Sequence, residues 1–278
     1  MMRARLVQVP YMIGDERHPA AGGPGRLAEA ALQRGLPVGV ERVERGTPFG
    51  DSASASRAVN TQLADAVRRA VAAGELPIVV AGSCDACLGT LGGFDHADCG
   101  VVWLDAHADF NTPESTVSGF FAGMSLAVVV GHCYRAYWRE IGDATPIAED
   151  AVLAFGIRDL SPDEEHRRLE RSAIRVSGTA ADDVRASLDE LARRVRDVYL
   201  HVDLDALAPE VAPGIVDAPV PGGLSLEELE EIVGGVTSRF RVRAAAVTTF
   251  NPALDEGDRT LHAALRAVEL LAAYASSS

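Results

Sequence analysis

The stretch that decides the fold reads VVWLDAHADFNTP and covers residues 101–113. Its four apolar residues are followed at once by two aspartates and a histidine on every second position. If a strand continues through the segment, Asp105, His107 and Asp109 point the same way, since alternate side chains of a strand lie on opposite faces. Two carboxylates about 7 Å apart on either side of an imidazole favour a divalent cation. A solvated strand end with turn residues is the alternative.

Strand-like apolar runs alternate with helical patterns along the whole chain. The runs cover residues 6–11, 38–43, 77–81, 100–105, 151–155, 174–176, 198–203 and 243–248. Ser225 is followed three residues later by Glu228, which predicts a capping box at the start of a helix. This alternation predicts a three-layer α/β/α fold with a central, roughly eight-stranded parallel sheet. No linker divides residues 1–278, so we expect a single domain.

The formal net charge of this 278-residue chain is −14, which limits the classes of partner that it is expected to bind. That charge argues against a nucleic acid or an anionic membrane surface as a partner. We expect no membrane span, because no apolar run approaches 18 residues. The first residues lack the apolar core of a secretory signal, so a cytoplasmic location is expected. A cytoplasmic protein of this size does not need disulfides from its four cysteines. The CxxC pattern at residues 84–87 is only a weak indication of a redox site.

A second acidic motif, HVDLD, covers residues 201–205 at the end of another predicted strand. Sites in parallel sheets form outside the carboxyl ends of strands, so Asp203 and Asp205 should lie near the first motif. Four carboxylates and an imidazole exceed what one ion needs, which favours two ions that share carboxylates. Oxygen-rich ligation with some imidazole suits Mn²⁺ better than structural zinc. Two such ions can hold a hydroxide and lower its pKa enough for attack near neutral pH.

Together, DAHADFNTP and HVDLDALAP resemble the motifs of the ureohydrolase (arginase/agmatinase) family, and the resemblance covers residues 77–252. It implies a binuclear manganese hydrolase that cleaves guanidino C–N bonds and forms a homo-oligomer, a trimer or a hexamer. It also implies that Asp105 and Asp203 bridge two ions. His107 and Asp205 would complete one site, while Asp109 would belong to the other and also hold the bridging hydroxide.

Cys84 departs from the family pattern. The family usually reads Gly-Gly-Asp-His-Ser after the third strand, and that histidine is a metal ligand, whereas this chain reads Ala-Gly-Ser-Cys-Asp over residues 81–85. A thiolate is softer than an imidazole, so we expect weaker selectivity for Mn²⁺ or readier binding of Zn²⁺, Fe²⁺ or Co²⁺. Alternatively, Cys84 is a buried spectator beside a mononuclear site. Nω-Hydroxy-L-arginine hydrolases of the family resemble this chain in placing cysteine here, which favours a modified guanidine.

The loop after the first motif supplies the expected substrate contacts. By resemblance, Asn111, Thr116 and Ser118 match the positions that bind the amino-acid part of the substrate in arginases. Phe120 stands where a further polar contact is usual, and Ala122 stands where arginases carry a histidine thought to shuttle protons. The alternative is a loop with ordinary turn chemistry.

Two acids of the arginase pattern are missing, because Ser161 and Thr249 stand at their positions. Thr249 would then be a substrate-binding residue in place of a glutamate that grips the guanidinium. A buried guanidinium without a carboxylate is costly. Either Asp255, Glu256 or Asp85 substitutes from a loop, or the substrate is less basic.

The working hypothesis is attack of a metal-bridging hydroxide on a guanidino carbon, with proton transfer through Asp109 or an ordered water. His201 projects on the same predicted strand face as Asp203. It is a candidate catalytic imidazole, or else a histidine packed beneath the site. Two other functions stay open: a non-catalytic metal- or ligand-binding protein, and a metal-dependent amidohydrolase or deacetylase.

Overall fold

The structure, a computed structural model, describes residues 2–44, 51–215 and 219–277. Its strands in these ranges are β1 (Arg3–Val9), β2 (Val38–Arg42), β3 (Glu75–Ala81), β4 (Cys99–Leu104), β5 (Val152–Phe155), β6 (Arg175–Ser177), β7 (Asp197–Asp203) and β8 (Arg241–Thr248). The helices are α1 (Gly23–Gln33), α2 (Ser52–Ala72), α3 (Ala86–Gly92), α4 (Ser125–Val129), α5 (Arg135–Arg139), α6 (Asp163–Arg171), α7 (Ala181–Leu191), α8 (Leu226–Arg239) and α9 (Arg259–Ser277). Each predicted strand is present.

All eight strands form one parallel sheet in the order β2-β1-β3-β8-β7-β4-β5-β6. The central strands are buried on both faces, as apolar strands of a parallel sheet must be. Because every strand runs the same way, all carboxyl ends meet at one edge of the sheet. That edge brings together chain segments that are far apart in sequence.

Helices cover both faces of the sheet, which confirms the three-layer prediction. One core contains side chains of α1, α7, α8 and α9, and the other contains side chains of α2 to α6. Strand β4 serves both cores, since Val102 and Leu104 belong to the first and Val101 and Trp103 to the second. The predicted capping box begins α8. In the part of the chain that the structure describes, no helix is long and apolar enough to cross a membrane.

Strand β4 ends at Leu104, close to the predicted end at residue 105, so the condition that a strand continues through Asp109 is not met. The Asp105 carboxylate accepts the main-chain N–H of His107 at 2.7 Å, which turns the chain out of the sheet. Asp203 does the same to Asp205 at 2.8 Å, and a short 3₁₀ turn follows β7. The two motifs therefore converge through matching turns that their own aspartates close, and not through strand alternation.

Candidate metal centre

Two groups of potential metal ligands lie at the carboxyl edge of the central strands. In the first group, one ligand atom from each of four buried residues lies within 4.8 Å of the others: Cys84, Asp105, His201 and Asp203. The same limit defines the second group: Asp105, His107 and Asp205. Asp105 belongs to both groups. The arrangement can therefore hold two ions that share one carboxylate.

The first group is held by the ends of β3, β7 and β8. The Cys84 thiol donates to Asp203 Oδ2 at 2.7 Å, and the Thr248 hydroxyl donates to the same oxygen at 3.3 Å. The other oxygen of Asp203 accepts from the Thr249 hydroxyl. The side chains from three strands thus meet at one carboxylate, which the protein fixes from several directions.

Aromatic rings form a layer directly beneath this group. The Trp103 indole N–H donates to Asp105 Oδ2 at 3.0 Å, and its ring stacks on His201 with centroids 3.7 Å apart and an interplanar angle of 6°. The Tyr199 hydroxyl lies 2.8 Å from His201 Nδ1. All three rings are buried. They fix the orientations of both Asp105 and the imidazole.

The second group faces outward. His107 Nδ1 lies 2.9 Å from Asp205 Oδ2 and 3.4 Å from Asp105 Oδ1. The other oxygen of Asp205 accepts the Ala106 N–H at 3.0 Å. Gly156 lets β5 approach here, because its φ is +86° and a Cβ would lie 2.9 Å from the Asp105 carbonyl oxygen. His107 is partly exposed, so its ring can contact both a bound metal and a molecule that enters from solution.

The buried acids strongly perturb one another. Burial, reinforced by the charge of Asp205, raises the pKa of Asp105 to about 7. Burial and neighbouring carboxylates also raise the pKa of Asp203 and Asp109 well above their ordinary range. Although burial opposes it, hydrogen bonding to Asp105 and Asp205 raises the pKa of His107 to about 12. Such a cluster needs positive charge, which protons or divalent cations can supply.

Three further groups complete the electrostatics of the centre. Burial and the charge of Asp203 raise the pKa of the Cys84 thiol well above its ordinary value. Burial lowers the pKa of His201 to about 3, so its imidazole is neutral at pH 7. Asp109 lies outside both ligand groups, and among the described residues its buried Oδ2 has no hydrogen-bond partner. An orphaned carboxylate oxygen beside S, N and O donors fits a divalent-metal site.

A cavity of about 180 Å³ opens above the second group. Three of the four predicted substrate residues line it, and so does one member of the ligand groups, His107. The lining residues are His107, Asp109, Asn111, Thr116, Ser118, Phe120, Gly123, Asp159, Ser161 and Glu165. Thr116 and Ser118 also accept main-chain N–H groups of their own loop at 3.0 and 3.2 Å. The loop therefore combines the turn chemistry and the cavity-lining position that the sequence left as alternatives.

Phe120 and Phe121 differ in role, although they are adjacent. Phe120 lines the cavity, whereas Phe121 is buried against Tyr134 and Tyr137. Ala122 is also buried. Of these two phenylalanines, only Phe120 contributes an apolar ring to the cavity.

The three acids that the sequence offered as possible substitutes for the missing acids lie outside the cavity lining. Asp85 is buried against α2, where it accepts from Ser56 at 2.5 Å. Asp255 accepts the main-chain N–H of Thr260 at 2.9 Å and so caps α9. Glu256 is exposed and pairs with Arg259 at the start of α9. Each of these acids does structural or surface work that its loop sequence did not reveal.

Thr249 lies outside the cavity lining, and its hydroxyl supports Asp203. The acids that do reach the cavity are Asp159 and Glu165, beside Asp109. Glu165 Oε1 accepts the Phe110 N–H at 2.8 Å, and burial raises the pKa of this carboxyl to about 7. Sequence reasoning missed Glu165 because it stands in a highly charged helix. The signal that the sequence offered was the position of Glu165 in the first turn of α6, the helix that follows β5.

Comparison with known proteins places this geometry in a family. The model described as the Arginase family matches residues 3–273. The arginase of Bacillus caldovelox is 30% identical over 94% of this chain and 94% of its own length. Its native structure at pH 5.6 covers 98% of both chains with a TM-score of 0.84 and 28% identity. A hypothetical agmatinase from Burkholderia thailandensis, 20% identical, covers 99% of this chain and 86% of its own with a TM-score of 0.73, so it shares the fold.

The match to the family model spans nearly the whole chain, and the similar arginase extends over about the same length. The eight-stranded sheet carries two ligand groups at the edge where parallel sheets place their sites. On this basis the chain belongs to the arginase family of metal-dependent hydrolases.

Proposed function

We propose that this protein hydrolyses a guanidino C–N bond of a small amino acid, with two divalent ions held around Asp105. The observation that carries the proposal is the sharing of Asp105 by two ligand groups, one of which reaches a small polar cavity through His107. When bound, two divalent ions would provide a hydroxide near neutral pH and stabilise the negative charge of the transition state. The metal ligands we propose are Cys84, Asp105, His107, Asp109, Asp203 and Asp205.

The cavity residues divide the remaining tasks. Asn111, Thr116 and Ser118 lie together on one loop, where their polar groups can hold the substrate carboxylate. Glu165 can hold the substrate ammonium when it is ionised. Asp109 has a free buried oxygen that can take up a proton and deliver it to the leaving nitrogen.

The shortage of acids at the reacting end favours a weakly basic substrate. Thr249, which stands at the position expected for a guanidinium-binding acid, is engaged with Asp203. Asp109 lines the cavity and could meet a guanidino group, but the proposed mechanism needs it for a proton. A guanidinium held without its own carboxylate is costly, whereas a hydroxyguanidine can enter uncharged. We therefore propose Nω-hydroxy-L-arginine as the preferred substrate over arginine.

The test is a mass-spectrometric product screen. Protein loaded separately with Mn²⁺, Co²⁺, Fe²⁺ and Zn²⁺ would meet arginine, Nω-hydroxyarginine, agmatine and guanidinobutyrate, with Asp203→Asn as the matched blank. We expect ornithine and hydroxyurea from Nω-hydroxyarginine, and little product from the blank. Preference for agmatine would contradict the carboxylate-binding role of the loop. No product from folded, metal-loaded protein would contradict hydrolysis and favour a ligand-binding role or an amide substrate.

Three further proposals complete the functional description. Mn²⁺ is the proposed native metal, a trimer or hexamer is the proposed assembly, and the cytoplasm is the proposed location. Metal analysis of protein purified without added metal tests the first, and light scattering on a sizing column tests the second. Cell fractionation tests the third.

A further inference from the structure

We propose that His201 supplies a nitrogen ligand to the ion at Cys84, so that this site offers its metal one sulfur and one nitrogen donor beside its carboxylates. The inference rests on the proposed two-metal function and deepens it. It adds His201 to the metal ligands proposed above. The observation behind it is that His201 belongs to the compact ligand group of Cys84.

The position of His201 allows this role. His201 lies in β7 two residues before Asp203, so both side chains lie on the same face of that strand. The stacked ring of Trp103 fixes the plane of the imidazole, and the Tyr199 hydroxyl engages its Nδ1. The remaining ring nitrogen, Nε2, is the one that is left to face the ligand group.

The Thr248 hydroxyl lies next to His201 Nε2 and also contacts other members of the ligand group. The Thr248 hydroxyl lies 3.4 Å from His201 Nε2, 3.6 Å from Cys84 Sγ and 3.3 Å from Asp203 Oδ2. This hydroxyl therefore touches three members of the group at once. An ion placed among these donors would meet the imidazole within the same small space.

The tautomer of His201 separates ligation from simple packing. A ligating histidine usually donates its second ring N–H to an acceptor, and the buried Tyr199 oxygen can accept it from Nδ1. That tautomer leaves the lone pair of Nε2 free for a metal. In the packing alternative, Tyr199 donates to Nδ1 and Nε2 carries the proton toward Thr248. The two alternatives predict different metal spectra.

The resulting ligand sets give the two sites different metal preferences. A thiolate and an imidazole beside carboxylates suit Zn²⁺ or Co²⁺. The other group has one imidazole, His107, with the carboxylates of Asp105 and Asp205, which suits harder ions. We therefore expect the first equivalent of Co²⁺ to enter the Cys84 site.

Cobalt spectroscopy tests the proposal without using activity. Metal-free protein is titrated with Co²⁺ while the visible d–d bands and the near-ultraviolet thiolate charge-transfer band are recorded. In the wild type we expect both signals from the first equivalent, and X-ray absorption should count one sulfur and one imidazole around it. His201→Gln should keep the charge-transfer band and change the d–d bands. It should also lower the affinity for this ion by about 100-fold, the upper end of the loss seen when the surroundings of a metal are altered.

Controls assign each outcome. His96→Gln removes another buried histidine, away from the centre, and should leave the cobalt spectrum unchanged. Tyr199→Phe keeps the ring but removes the hydroxyl that contacts His201 Nδ1. This variant should bind the same ion about tenfold more weakly. A wild-type spectrum and affinity in folded His201→Gln would overturn the proposal. If that variant does not fold, sulfur without imidazole around the first equivalent in the wild type would overturn it.

The spectroscopic result is independent of the substrate screen. A protein that turns over no guanidine can still show the His201-dependent cobalt site, which would support this inference and contradict the proposed function. Conversely, hydrolysis by a protein whose cobalt spectrum ignores His201→Gln would support the function and refute the inference.

Discussion

At the scale of a single side chain, Cys84, as a proposed metal ligand, should set the softness of the metal centre. Replacing it by histidine should raise the preference for Mn²⁺ over Zn²⁺ by about tenfold or more, because an imidazole is a harder ligand than a thiolate. Competition against a chelating indicator measures both affinities. Cys87→Ser is the matched control, since Cys87 is equally buried but lies outside both ligand groups. An unchanged ratio of affinities in Cys84→His would show that Cys84 does not ligate.

Through its proposed contact with the substrate ammonium, Glu165 should couple substrate binding to pH. Its carboxyl takes up a proton as the pH falls through about 7, so KM for a substrate with an ammonium group should rise below that pH. Glu165→Gln should raise KM by about 10- to 100-fold above pH 7, with a small effect on kcat, and remove this pH dependence of KM. Steady-state kinetics from pH 6 to 9 measures the effect.

Glu164→Gln is the control for the same helix turn. Glu164 is exposed and pairs with Arg167, so its KM profile should match that of the wild type. A wild-type profile in Glu165→Gln would refute the ammonium-binding role.

At the scale of elements, Arg158 joins the loop after β5 to the turn after β7. Its guanidinium donates to the main-chain carbonyl oxygens of Asp205 at 2.8 Å, Ala206 at 3.2 Å and Val220 at 3.1 Å. Arg158→Met leaves several carbonyl groups without a partner, so we expect a loss of about 3 kcal/mol in the free energy of unfolding. Urea denaturation measures it.

A surface arginine calibrates that prediction. Arg57 makes an exposed ion pair with Glu140, and Arg57→Met should change the free energy of unfolding by less than about 1 kcal/mol. Equal losses in the two variants would show that the bonds of Arg158 add nothing beyond a surface pair.

Loops, not strands, are where sequence reasoning failed at this scale. The apolar runs and the capping box predicted the strands and α8 well, because periodicity and capping are local properties. The predicted strand ends at residue 105, and the side chains of the DAHAD segment share one face only on the condition that the strand continues through that segment. Its aspartate instead closes a turn on the His107 N–H, a local competition that hydrophobic periodicity does not report.

For the whole molecule, bound divalent ions should stabilise the fold by mass action. An ion at about 100 times its Kd adds about 2.7 kcal/mol, and each kcal/mol moves the Tm of a chain of this size by about 2–4 °C. Chelation should therefore lower Tm by about 5–10 °C, measured by calorimetry. We also expect one cooperative transition, as the single-domain prediction requires.

Asp105→Asn is the variant that tests where this stabilisation originates. Asp105 belongs to both ligand groups, so its loss should abolish most of the difference between the metal-loaded and chelated protein. Equal Tm values with and without metal in the wild type would contradict the proposed centre.

The sequence by itself determined the fold class, the edge of the sheet where the site lies and most of the candidate ligands. Those features follow from local patterns: apolar runs of strand length, polar residues directly after them, and two acidic motifs. The tertiary structure alone decided that Asp105 is shared, that His201 joins Cys84 while Asp109 stays outside both ligand groups, and that Glu165 reaches the cavity. These relations are distances of a few ångströms between different strands and loops, and they depend on strand register and turn geometry.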